Sequence, residues 1–191
     1  KEYPLFMFQY SGPGSQQVSN SWDQGNGLWF NHLVQKGYIV ACVDGRGTGY
    51  KGTEYKKTTY LNLGKYEIDD QIAAAKWFGK QSYINKDRIG IFGWSFGGYM
   101  ASLALTKGAD VFKAGIAVAP VTNWRYYDSV YTERFMRTPQ ENSAGYDDNS
   151  PTSYAQLLKG KFLLIHGTAD DNVHFQNSME FSEALIQNKK Q

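Results

Sequence analysis

The sequence predicts an α/β fold, a mostly parallel sheet with helices on both faces. Three observations predict it. Strand-sized apolar runs alternate with helix-patterned segments along the chain. One run, Tyr38 to Val43, is apolar at successive positions, which suits a strand covered on both faces. A strand, a glycine-rich turn and an apolar helix follow one another around Ser95. The chain has 191 residues, 41% of them apolar and 20% charged, so it can bury a core of its own.

The elements come in this order. Pro4 to Tyr10 is an apolar run closed by Ser11-Gly12-Pro13-Gly14, a strand ending in a turn. Leu28 to Gln35 has a partly apolar face and is stopped by Gly37, as a helix would be. The strand Tyr38 to Val43 ends at Asp44-Gly45. Tyr66 to Lys80 reads as a helix. Ile68, Ile72, Ala75 and Phe78 recur at helical spacing, with Glu67, Asp69 and Asp70 in the first turn and Lys76 and Lys80 late, as the helix dipole favours. Arg88 to Gly93 is a strand, and Phe96 to Lys107 is a helix apolar enough to be buried. Ala114 to Val118 is a strand. Thr122 to about Ser153 is aromatic and polar, and its Asn- and Asp-rich part from Asn142 reads as a loop. Lys161 to His166 is a strand and Asn177 to Gln187 a helix.

Composition excludes several classes. The net charge is +2 with no run of Lys or Arg, so no nucleic-acid footprint is expected. The longest strongly apolar piece, Phe162 to Ile165, is strand-sized, so no membrane span is expected. The single cysteine, Cys42, excludes an intrachain disulfide and a cysteine-built metal site. Gly47-Thr48-Gly49-Tyr50-Lys51-Gly52 fits G-x-G-x-x-G, and Asp69 follows at about the 20-residue distance of a ribose-binding acid. No amphipathic helix opens there, however, and Asp69 does not end a strand. The motif reads as a glycine-rich surface loop. No metal or organic cofactor is expected.

Gly93-Trp94-Ser95-Phe96-Gly97-Gly98 matches G-x-S-x-G in its required context, between an apolar strand and an apolar helix. The turn is so tight that the residues two before and two after it must be small, hence Gly93 and Gly97. It lifts a serine hydroxyl to the sheet's tip beside a helix N-terminus, where developing negative charge is favoured. A nucleophilic serine needs a base and an acid that orients it. Asp170, in the loop after the strand ending at His166, is the preferred acid, with Asp171 as the alternative. The base is harder. His32 precedes Ser95, His166 ends a strand, and His174 shares the loop of Asp170, so none of the three histidines fits the role well.

Six motifs then appear in order: Tyr10-Ser11-Gly12-Pro13; Asp44-Gly45-Arg46-Gly47-Thr48-Gly49; the Ser95 elbow through Tyr99; Gly115 to Val121; Tyr127-Asp128-Ser129-Val130-Tyr131-Thr132-Glu133-Arg134; and His166 to His174. Together they resemble the catalytic domain of the prolyl oligopeptidase family of serine peptidases, in its dipeptidyl peptidase IV branch. The resemblance implies an α/β-hydrolase fold and a peptidase that hydrolyses the bond after a penultimate proline, or less well alanine, through an acyl-enzyme. It implies Ser95 as nucleophile, Asp170 as acid, and the Tyr10 hydroxyl with the Phe96 N–H as oxyanion hole. Tyr127, Tyr131, Trp124, Val121 and Val173 would surround the proline ring, and Asn172 would bond a substrate carbonyl. Phe96 stands where many members carry Tyr, but the oxyanion needs only its backbone.

The resemblance also implies two parts that residues 1–191 lack: an N-terminal β-propeller whose glutamates hold the substrate's amino end, and a histidine downstream of Asp170. No histidine follows His174, and Lys1 rather than Met opens the chain. The expectation is therefore an incomplete catalytic domain, missing its last strand and helix, cut from a longer homodimeric parent and inactive alone. The preferred location is periplasmic or extracellular in a bacterium, with the cytoplasm as alternative. Other readings are an acylaminoacyl peptidase or prolyl oligopeptidase of the same family, or a non-catalytic interaction homologue. The intact elbow argues against the last.

Overall fold

The computed structural model describes residues 1–21 and 26–190. Residues 22–25 and 191, part of the expected domain, lie outside the described residues. Five strands form one sheet: β1 (Tyr3–Phe8), β2 (Ile39–Cys42), β3 (Ile84–Trp94), β4 (Ala114–Val118) and β5 (Lys161–Ile165). Their order is β2-β1-β3-β4-β5, and every ladder is parallel. The chain thus builds outward from β1 to β2, then reverses and builds the other way from β3. The strand order reverses between β1 and β3, and at such a point the crevice beyond the carboxyl ends of the strands is open to a ligand.

Helices cover both faces, as expected. Along β1 the side chains alternate, as a strand requires. Leu5 and Met7 are fully buried, while Phe6 and Phe8 pack on Trp29 and Phe30 of α1 (Gly27–Gln35) with ring centroids 5.3 and 5.2 Å apart. The opposite face carries α3 (Lys65–Phe78) and α4 (Phe96–Thr106). Every residue of α4 is buried, which explains why its sequence is apolar all round. No helix of the described residues is long and apolar enough to cross a membrane.

Four expectations need correction. The run Tyr38 to Val43, which suits a strand covered on both faces, forms the edge strand β2, and all four of its residues are only half-buried. The strand placed at Arg88 starts earlier, at Ile84. Tyr3 pairs with Ile84 but Leu5 pairs with Ile89, so polar Asn85 to Arg88 ride on a bulge that periodicity does not recognise. The aromatic, polar stretch from Thr122 to Ser153, whose part from Asn142 reads as a loop, holds 3-10 turns at Trp124–Tyr126 and Pro151–Leu157, α5 (Ser129–Met136) and α6 (Ser143–Asp147). Asn142, which opens the expected loop, is a helix cap, as are Asn123 and Asp128: the three accept from the N–H groups of Gly145, Arg125 and Tyr131. Finally, only the Tyr50–Gly52 half of the Gly47–Gly52 segment is a surface loop. Gly45, Gly47, Thr48 and Gly49 are buried, and it leads into a five-residue helix, α2 (Thr53–Lys57). Asp69 lies exposed on α3.

Glu67, in the first turn of α3 as expected, is not at the surface. It is fully buried. Its Oε2 accepts from the Gly64 N–H at 2.9 Å, capping α3, and Oε1 has no partner. Burial pushes its carboxyl up from 4.5 to about 8. The folded protein therefore keeps a proton that the unfolded chain releases, and this group's contribution to stability falls as pH rises from 4.5 towards 8. Glu67→Gln keeps the acceptor and removes the charge. Denaturant unfolding at about pH 5 and about pH 8 is expected to show the variant gaining a few kcal/mol on the wild type at the higher pH. A pH-independent difference would overturn this account.

Candidate active site

The elbow at the end of β3 has the geometry its glycines forecast. Ser95 sits at φ 57°, ψ −117°, in the left-handed half of backbone space that a non-glycine residue rarely occupies. A Cβ on Gly93 would run into the Gly97 carbonyl group. One on Gly97 would lie 2.5 Å from the Gln9 carbonyl oxygen, and one on Gly98 2.7 Å from that of Val118. The Ser95 N–H donates to Val118 at 2.8 Å, tying the nucleophile turn to β4, and Tyr99 returns a bond to the Ser95 carbonyl at 3.0 Å. The helix that follows starts at Phe96, whose N–H has no intrahelical acceptor and is open to a developing charge.

A cleft of about 800 Å³ opens above this point. Tyr10, Ser95, Tyr127, Asp170, Asn172 and Val173 all line it, although they come from four separate stretches of chain. Tyr10 follows β1 across the switch point from Ser95. Its ring lies 6.2 Å from that of Phe96, and a Cβ on Gly12 would sit 2.6 Å from it, so Gly12 clears room for it.

The aromatic expectations resolve into two layers. Tyr127 and Tyr131 stand edge to face at 5.3 Å. Behind them Trp124, fully buried, touches both rings at 6.0 Å and Phe96 at 5.5 Å. Val121 and Val173 belong to the same buried cluster. Burial pushes both phenols, Tyr127 and Tyr131, above the usual tyrosine range, and the nearby Asp128, Tyr10 and Asp170 add to this at Tyr127. The walls are thus neutral aromatic faces. The Tyr127 hydroxyl donates to Asn172 Oδ1 at 2.7 Å, which leaves the Asn172 amide N–H groups as the free donors at the rim.

Asp170 is held by its own loop. Its Oδ1 accepts from the N–H groups of Asn172 at 3.0 Å and Val173 at 2.9 Å. Asp171 lines a separate polar cleft beside Arg125, Asp128 and His174. The histidines take three different places. His166 is engaged at both nitrogens, with Ser178 Oγ at 2.6 Å and the Val173 carbonyl at 2.7 Å; its Nε2 lies 3.5 Å from Asp170 Oδ2. His174 is exposed in the second cleft, and His32 is exposed on α1.

The buried Asp44 motif supports the near wall of the cleft. Asp44 accepts from the N–H groups of Gln17 and Val18, at 3.0 and 2.8 Å. Arg46 is clamped on Asp70 of α3 through Nε and Nη2, at 3.0 and 2.6 Å. Ser15, Gln16 and Gln17 line the cleft as a result. One neighbour of the nucleophile escapes sequence reasoning. Gln9 is buried at the foot of the cleft and donates to Gly97. Its only signal is an amide within an otherwise apolar strand.

The model of the prolyl oligopeptidase family matches residues 26–191. The chain is 50% identical over 189 residues to a probable dipeptidyl-aminopeptidase B of Pyrenophora teres, covering 97% of this chain and 20% of that protein. It is 50% identical over 187 residues to dipeptidyl aminopeptidase B of Saccharomyces cerevisiae, covering 96% and 22%. The solved structure of dipeptidyl peptidase 4 from Porphyromonas gingivalis superposes with a TM-score of 0.95 at 55% identity, over all of this chain and 27% of that one. The five-stranded parallel sheet is thus that of the α/β-hydrolase fold. The chain spans about a fifth of the length of the curated relatives it matches.

Proposed function

Since the chain belongs to the prolyl oligopeptidase family, we propose that it carries the nucleophile, the acid and the specificity pocket of a serine dipeptidyl peptidase. The observation that carries this reading is Ser95, strained at φ 57° at the switch point and opening into one cleft with Tyr10, Tyr127 and Asp170. Ser95 Oγ attacks the carbonyl that follows the second residue of a peptide. The Tyr10 hydroxyl and the Phe96 N–H receive the charge that develops on the carbonyl oxygen. The C–N bond to the third residue breaks, the amine departs with the proton given up by Ser95 Oγ, and water hydrolyses the acyl-enzyme. The Tyr127–Tyr131 corner, backed by Trp124, Val121 and Val173, accepts a proline ring, which has no charge to pair and is selected by shape. Asn172 donates to a carbonyl of the bound dipeptide.

None of the three histidines is free to bridge Asp170 and Ser95. His166 is spoken for at both nitrogens, and His32 and His174 lie elsewhere. The base in this reading comes from sequence beyond these residues, and the 191-residue chain alone does not turn over. Substantial activity of that chain, abolished by His174→Ala, would overturn this part.

Specificity is tested on the full-length protein with chromogenic amides. A free Gly-Pro amide is expected to be cleaved about 100-fold or more faster than its N-acetylated form. Faster cleavage of the acylated substrate would move the reading to an acylaminoacyl peptidase or oligopeptidase of the same family.

A further inference from the structure

The two oxyanion donors assigned above come from different elements, Tyr10 from beyond β1 and Phe96 from the start of α4. Something must hold their separation. The β1–β3 ladder pairs residues only as far as Phe8 with Phe92, and the next bond, from the Gln9 N–H to the Phe92 carbonyl, is stretched to 3.3 Å. The ladder ends there. There the Gln9 side chain takes over, donating from Nε2 to the Gly97 carbonyl at 2.8 Å.

Its position is tightly enclosed. Gln9 is 1% exposed. A Cβ on Gly93 would lie 2.6 Å from Gln9 Nε2, and one on Gly97 3.3 Å from the Tyr10 Cα, so Gln9 and Tyr10 fill the space against both glycines of the elbow. The other end of the amide is fixed as well. Ser11 Oγ donates to Gln9 Oε1 at 3.1 Å; Gln71 Nε2 in turn donates to Ser11 Oγ at 3.3 Å and to the Val43 carbonyl at 2.8 Å. Ser11 reaches back in this way from φ 68°, a conformation a non-glycine residue adopts at some cost. Gln9, Ser11 and Gln71 are all buried, so each of these bonds is made where water does not compete.

We propose that Gln9 is a positioning residue, whose amide, bonded to Gly97 and locked by Ser11 and Gln71, sets the distance between the Tyr10 hydroxyl and the Ser95–Phe96 turn. The proposal rests on the reading of Tyr10 as an oxyanion donor. It makes Gln9 act on the transition state through Tyr10, without touching substrate.

The test uses the full-length protein and a Gly-Pro chromogenic amide. Gln9→Met keeps the length and cannot donate. It is expected to lower kcat about 10- to 100-fold with KM within about 2-fold, because the loss falls on the transition state. In a Tyr10→Phe background the same substitution is expected to cost less than about 3-fold more, since the two act through one group. An unchanged kcat in Gln9→Met, or full additivity with Tyr10→Phe, would overturn the proposal. Wild-type activity in Tyr10→Phe alone would instead remove the oxyanion assignment on which it stands. Should Gln9→Met fail to fold, Ser11→Ala removes the lock on the amide oxygen, together with the bond Ser11 accepts from Gln71, and leaves the Gln9 donor in place. It is expected to lower kcat about 3- to 10-fold at unchanged KM, and wild-type kcat there would equally overturn the proposal.

Discussion

Ser95→Ala in the full-length protein is expected to lower kcat for a Gly-Pro amide by about 10⁵- to 10⁶-fold, with KM little changed. Alanine keeps the Cβ and accepts the same strained φ of 57° on the same terms, so the elbow should stay in place. On the proposed reading, what disappears is the atom that forms the acyl-enzyme. The Tyr10 hydroxyl, the Phe96 N–H and the aromatic pocket remain, and on the same reading they would supply a small residual rate over water. Initial rates together with a thermal melt check this. A matching melt with wild-type rate would remove Ser95 as nucleophile.

Gly93→Ala is expected to be the most damaging conservative substitution at the site. Its new Cβ would collide with the Gly97 carbonyl and lie 2.6 Å from Gln9 Nε2. The backbone has little room to yield. Ser95 is bonded to Val118, Ala119 to Ile165, and every residue of α4 is packed. The loss should be about 3 kcal/mol or more of stability, because overpacking against backbone cannot be relieved by a rotamer change. Activity should fall with it. Gly167→Ala, where no atom lies within 4 Å of the new Cβ, is the control and should be close to neutral in unfolding measurements. Equal stability of the two variants would contradict the packing account of the elbow.

The sequence was most informative where one local rule acts alone. Gly93, Ser95 and Gly97 announce their turn because sterics admit nothing else, and the apolar run from Pro4 announces β1. It was least informative where polar residues serve two purposes. Asn123, Asp128 and Asn142 have the composition of loop and the function of caps. Glu67 satisfies the dipole rule for an exposed first turn yet is buried, because its partner is the Gly64 N–H. Gln9 shows the same limit at the cleft. Nothing in the spacing of β1 reveals that residue 97 supplies its acceptor. The resemblance carried the aromatic residues into one pocket. Their layering, with Tyr127 and Tyr131 in front of a buried Trp124, depends on tertiary packing that periodicity does not encode.

The strand order has a further consequence for how the molecule is made. β1 is a central strand, yet it precedes its inner neighbour by a long interval; Gln9 and its partner Gly97 are 88 residues apart. At translation rates of about 5–20 residues per second, β1 waits roughly 5–20 s for β3 to leave the ribosome. Until then Leu5, Met7, Phe6 and Phe8 have β2 on one side and an open edge on the other. The residues that make the crevice functional are the same ones that leave it unpaired during synthesis. The nascent chain should therefore engage a chaperone most strongly before the Ser95 segment emerges.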